Sequence, residues 1–122
     1  PCALEARVGL TQLKKYDTII DLRQQAAATY SAELEENNEI ELLDFPNGST
    51  YSHFTGLVKN RKEWADKYAN KGIQLGILIE YSCPHMKAYE YRKEEDYPNS
   101  LKYSKKTVNI PNWPGVQYKN IL

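Results

Sequence analysis

Hydrophobic residues recur at mostly three- to four-residue steps through the first quarter of the chain: Leu4, Val8, Leu13, Tyr16, Ile20, Ala27, Tyr30 and Leu34. A helix turns once every 3.6 residues, so this spacing predicts helix over residues 3–34, with the stripe packed on a core. Gly9 costs such a helix roughly 1 kcal/mol against alanine and does not end it. Asp17-Thr18 can cap a fresh start, which predicts either one kinked helix or two in tandem.

The pattern then changes. Residues 35–39 form an acidic turn, and residues 40–45 read as a short strand or irregular segment. Pro46-Asn47-Gly48-Ser49 is a turn, because Asn-Gly offers two positions that accept a positive φ. Asn47-Gly48-Ser49 also matches a glycosylation acceptor, but no secretory signal accompanies it and the turn reading is preferred. Residues 51–58 alternate and are rich in β-formers, predicting a strand. Asn60 caps a helix over 61–70, with Glu63 where a capping box wants it. Trp64 and Tyr68 share a face of that helix, and Gly72 ends it. Residues 73–81 form a nearly continuous apolar run, which predicts a strand buried on both faces and, with 51–58, a minimal β-α-β unit. Beyond it come a short helix or turn at 84–91, a charged loop at 92–96, a helix from Pro98 with proline near its first position, and a strand at 106–110. Pro111-Asn112-Trp113-Pro114-Gly115 closes this part of the chain with a rigid loop. No internal repeat or low-complexity stretch interrupts the pattern.

Composition narrows the function classes. At 122 residues the chain is one domain, and its 41% apolar and 26% charged residues are those of a soluble globular protein. Sixteen basic and sixteen acidic residues cancel, so the net charge calls for neither nucleic acid nor an anionic membrane. Tyrosines interleaved with lysines at 89–103 would suit base stacking, but without a basic excess that reading fails. No apolar run approaches a membrane span and no signal peptide is visible, so a cytoplasmic protein is expected. Cys2 and Cys83 are too few for a disulfide framework, and His53 and His85 complete no metal-ligand spacing.

The chemistry-bearing residues gather around the end of the apolar run. Tyr81 and His85, placed where a buried strand ends, would project polar tips from an apolar body. His85 is a candidate for substrate contact, with capping of a backbone carbonyl as the structural alternative; Tyr89 is a third candidate, with packing as its alternative. Cys83 and His85 also stand two apart, as a thiol and its base might, but Pro84 lies between them and no orienting carboxylate is evident. His53 is read as a half-exposed structural residue, and Trp64 and Trp113 as core or interface anchors. Six glycines, none in a GxGxxG or P-loop arrangement, provide no phosphate cradle.

Three blocks of sequence carry a resemblance. The first is Leu4-Glu5-Ala6-Arg7-Val8-Gly9-Leu10-Thr11-Gln12-Leu13-Lys14-Lys15-Tyr16-Asp17 with Arg23 and residues 26–30. The second runs from Asn60-Arg61-Lys62-Glu63 through Gly72-Ile73 to Tyr81, Pro84, His85 and Tyr89. The third is Ile110-Pro111-Asn112-Trp113-Pro114-Gly115. In order and spacing they resemble the C-terminal small domain of the DegT/DnrJ/StrS family of sugar aminotransferases, which use pyridoxal phosphate. Arg7 departs from that pattern, standing where a small residue is usual.

The resemblance implies an α+β fold, long N-terminal helices packed on a small mixed β-sheet, like the small domain of fold-type I aminotransferases. It implies that residues 1–34 join a catalytic domain and that 35–122 form the small domain. The lysine that holds the cofactor, the carboxylate that pairs with its ring nitrogen and the phosphate cup belong to the family's other domain, so this chain alone is expected to bind no cofactor and to have no catalytic residues. In the complete enzyme, His85, Tyr81 and Tyr89 would face a nucleotide-linked keto-sugar, and the amino group would come from an amino acid such as glutamate. Left alone, the chain is expected to bury the Leu4, Val8 and Leu13 stripe by self-association, most simply as a homodimer, or by folding the first helix back on itself. The reading from another class is a stand-alone interaction or regulatory domain without catalysis.

Overall fold

The computed structural model describes residues 2–77, 82–89, 91 and 93–117. Among these residues four α-helices, α1 (Ala3–Leu13), α2 (Tyr16–Leu34), α3 (Arg61–Ala69) and α4 (Pro98–Lys106), accompany three strands, β1 (Ile40–Leu42), β2 (Phe54–Val58) and β3 (Thr107–Ile110). The fold is α+β.

The first helical stretch is two helices in tandem. Lys14 and Lys15 form the break, and Lys15 begins α2 without a side-chain cap, so the Asp17-Thr18 cap is not used. This break divides the stripe read from the sequence. Ala26, Ala27, Tyr30 and Leu34 of α2 are buried, whereas no residue of α1 is. Leu4, Val8 and Leu13, expected in a core, are 71%, 54% and 66% exposed, and Tyr16 is exposed as well.

The sheet is antiparallel where a mixed one was expected, with strand order β1-β2-β3. The expected β-α-β unit is split. Gly76 bridges Asn109 of β3 in antiparallel sense, through reciprocal backbone hydrogen bonds of 2.8 Å. Because β2 and the Gly76 segment are each antiparallel to β3, they run parallel to one another with β3 between them. Hydrophobic pattern defines a strand's faces but not its neighbours, and β3 lies too far along the chain for local pattern to place it. Residues 73–77 form that one bridge and no regular strand among the described residues; Leu75 is buried, but Ile77 is 43% exposed, against the expected burial on both faces. The remainder of the predicted strand, residues 78–81, lies outside the described residues.

β2 begins later than the alternation suggests. Tyr51 has a φ of +45°, which no strand residue adopts, and its carbonyl accepts a 2.9 Å bond from Asn112 Nδ2 that holds the bend. His53 therefore precedes the strand, exposed, with Nδ1 3.3 Å from Ser52 Oγ. The α3 signals read as written: Asn60 Oδ1 accepts from the Glu63 amide at 3.3 Å, and Gly72, at φ +78°, lets Ile73 N–H reach back to the Tyr68 carbonyl at 2.9 Å. Trp64 and Tyr68 stack at 5.1 Å and join Tyr30, Phe54, Val108 and Ile110 in one core.

Candidate functional site

Asn109 anchors the approach to the candidate residues. Its Oδ1 accepts from Thr55 Oγ1 at 2.6 Å and its Nδ2 donates to the Gly76 carbonyl at 3.4 Å, so one side chain spans β2, β3 and the bridged segment. Beyond 78–81, the chain makes two tight 3₁₀ turns, Cys83–His85 and Lys87–Tyr89. Proline suits the first, since its fixed φ costs nothing at a turn's start. His85 N–H donates to the Ser82 carbonyl at 3.0 Å, Met86 N–H to Cys83 at 3.0 Å, and Tyr89 N–H to Met86 at 2.8 Å.

This winding brings His85 back onto Ser82. Ser82 Oγ and His85 Nδ1 are 2.6 Å apart, with Ser82 buried and His85 half-buried. A short bond to one ring nitrogen fixes the plane of the imidazole. The partner is the Ser82 hydroxyl, while Cys83 sits exposed. That arrangement gives a thiol-imidazole pair no support. Ser82, three residues before the histidine, was not singled out from the sequence; a serine followed by Cys-Pro is a usual opening for a turn, and that was the available signal.

Tyr89 faces a different space. With Cys83, Pro84, Tyr91, Tyr97 and Ser100 it lines a hollow of about 290 Å³, and the rings of Tyr89 and Tyr91 lie 6.2 Å apart. The hollow's aromatic walls and uncharged hydroxyls suit a flat or ring-shaped group more than an ion. Of the three residues proposed for substrate contact, then, His85 and Tyr89 come within one pair of consecutive turns, and Tyr81 lies outside the described residues. Tyr91, Tyr97 and Ser100 are additions that sequence reasoning did not make. Another hollow holds the exposed Lys67–Glu39 pair at 2.8 Å beside Trp64, a solvated ion-pair surface.

Among the described residues, no group of three or more His, Cys, Asp or Glu could hold a metal ion. The described lysines are exposed, apart from a half-buried Lys106. A lysine that holds an aldehyde cofactor needs an enclosed ammonium beside a phosphate cradle and a carboxylate. These residues do not fit as the holders of such a group.

Against this geometry the likenesses to known proteins are consistent. A profile of the DegT/DnrJ/EryC1/StrS aminotransferase family matches residues 2–121. The chain is 25% identical over 119 residues to GDP-perosamine synthase of Vibrio cholerae, a stretch that is 91% of this chain and 32% of that protein. Its fold superimposes on DesV of S. venezuelae with a TM-score of 0.86 at 19% identity, covering 93% of this chain and 32% of that one. It also matches the sugar aminotransferase CalS13 of Micromonospora echinospora with a TM-score of 0.81 at 16% identity, covering 92% and 30%. The chain belongs to the DegT/DnrJ/EryC1/StrS aminotransferase family and has the fold found in its sugar aminotransferases. It spans about a third of the length of these relatives.

Proposed function

We propose that this chain is the C-terminal small domain of a pyridoxal-phosphate-dependent aminotransferase acting on nucleotide-linked keto-sugars. The observation that carries the reading is the coverage: nearly all of this chain corresponds to only about a third of the relatives it matches. In this reading residues 1–34 join the cofactor-binding domain, residues 35–122 form the small domain, and the complete enzyme is a cytoplasmic homodimer that takes its amino group from an amino acid such as glutamate. The cofactor, when bound, supplies the electron sink.

The work left to this chain is to cover the cleft and orient the sugar. His85, held in plane by Ser82, contributes a half-buried imidazole at this edge of the cleft. Tyr89 contributes an aromatic wall and a hydroxyl, and Tyr81 a second hydroxyl. Closing such surfaces over a substrate excludes water and strengthens each polar contact made there.

Replacing His85 by alanine in the complete enzyme tests the assignment. The expected outcome is a loss of about 1 to 3 kcal/mol in kcat/KM for the keto-sugar, one polar contact's worth, with thermal stability nearly unchanged. Unchanged kinetics with a large loss of stability would assign His85 to structure instead.

A further inference from the structure

Serine and histidine meet twice in this chain, and the two meetings differ. Ser52 Oγ lies 3.3 Å from His53 Nδ1 on the exposed approach to β2, where water can serve either partner. Ser82 Oγ lies 2.6 Å from His85 Nδ1, and Ser82 is only 8% exposed. Among the described residues, the Ser82 hydroxyl makes no second hydrogen bond. The backbone ties the same two residues, because the His85 N–H donates to the Ser82 carbonyl at 3.0 Å across the Cys83–His85 turn. Ring and main chain of His85 are thus fastened to one residue.

Proton counting decides which way the short bond runs. A hydroxyl carries one proton, and a neutral imidazole carries one ring proton and one in-plane lone pair. With the ring proton on Nδ1, the imidazole would donate to Ser82 Oγ, and the serine proton would be buried without an acceptor. With the ring proton on Nε2, the hydroxyl donates to Nδ1 and the pair is satisfied. A buried donor left unpaired is disfavoured, since no water is there to take it. The pair therefore takes the second arrangement, whatever Nε2 itself meets. The exposed Ser52 hydroxyl can turn to water instead, so both tautomers stay open to His53.

Resting on the reading of His85 as a cleft residue, we propose that Ser82 is a positioning residue that holds His85 in its Nε2–H tautomer. The ring's one lone pair is then occupied by the serine proton. To take up a proton at Nδ1, the ring would first have to break the 2.6 Å bond and turn a buried hydroxyl away from its acceptor. His85 therefore serves the cleft as a fixed polar wall and not as a proton acceptor. The proton transfers of the reaction pass through other groups.

The chain has two histidines, so nitrogen-15 shifts of the imidazole nitrogens, assigned with His85→Gln, report on each ring. At a pH where both rings are neutral, His85 of the 122-residue chain should show the Nε2–H tautomer alone, and His53 a mixture. Ser82→Ala should turn His85 into a mixture as well. Ser82→Thr, which keeps the hydroxyl, should restore the single form, and Ser52→Ala should leave His85 unchanged. In the complete enzyme, Ser82→Ala should lower kcat/KM for the keto-sugar about three- to tenfold, with Ser82→Thr recovering it. His85→Gln, which keeps an N–H but has no basic nitrogen, should retain more activity than His85→Ala. An Nδ1–H tautomer or a mixture at His85 in the unsubstituted chain would overturn the proposal, and that measurement needs no variant to fold. A His85→Gln enzyme as slow as His85→Ala would overturn it too, as the mark of a proton acceptor. A single tautomer that Ser82→Ala abolishes, with kcat/KM unchanged, would leave the hold of Ser82 on the ring standing and remove His85 from the cleft instead.

Discussion

Tyr30 ties the long helix to the end of the sheet. Its ring is fully buried 5.3 Å from that of Phe54, and its hydroxyl donates to the Pro111 carbonyl at 2.8 Å. Burial, with the Glu33 carboxylate adding to it, pushes that hydroxyl up to about 12. A tyrosine in the unfolded chain ionises near 10, so the folded state keeps a proton that the unfolded state gives up. The stability from this group is therefore whole below about pH 10 and is lost as the pH rises from about 10 to 12. Tyr68, also raised by burial, adds to the same alkaline loss. Tyr30→Phe should cost about 1 kcal/mol at neutral pH and flatten much of that alkaline slope, as read by denaturant midpoints across the range. None of this was visible in advance. The spacing placed Tyr30 on the buried face, but its partner lies 81 residues away.

Among the elements, local chemistry was legible and neighbours were not. The α3 cap at Asn60, its stop at Gly72 and the proline start of α4 follow from the residue types and formed as expected. Strand order did not follow, because the pairing of β2 with β3 joins segments about fifty residues apart that no turn connects. The late start of β2 escaped for a related reason: Tyr51 is held in its bend by distant Asn112. The contact between β1 and β2 is a third case. A Cβ on Gly56 would stand 2.5 Å from Ile40 Cδ1 and 2.7 Å from its Cγ1, and Ile40 is buried. β1 lies close against β2 because Gly56 has no side chain. Gly56→Ala should cost about 1 to 3 kcal/mol by overpacking, and a double-mutant cycle with Ile40→Ala should be markedly non-additive. Additive effects would show that Ile40 turns aside freely.

At the scale of the whole molecule, the fold class and the pair of turns bearing His85 and Tyr89 could be read from the sequence, while Ser82 and the second apolar side of α1 could not. The serine's role depends on a turn that folds three residues back on themselves. The two-sidedness of α1 lies in the five-residue step from Val8 to Leu13, which carries Leu13 to the far side of the helix. The lysines also give a prediction at this scale. The 122-residue chain incubated with pyridoxal phosphate and then reduced should show no stoichiometric label on any one lysine, since no described lysine sits in an enclosed pocket. Mass spectrometry of the digest reads this directly, and one fully labelled site would refute it.

The bonds that reach from Asn112 to the Arg23 carbonyl and from Tyr30 to Pro111 cross 89 and 81 residues. During synthesis the amino-terminal half leaves the ribosome long before its fastenings exist. Until Pro111 and Asn112 emerge, α2 is held near that end only through segments such as Ser49, whose carbonyl accepts from Gln24, and β2 lacks its longer partner. The tertiary structure therefore completes late, when the proline-rich loop arrives. In the interval the apolar side of α2 and both sides of α1 are open to chaperones, and a ribosome stalled before residue 107 should hold a chain that proteases cut freely.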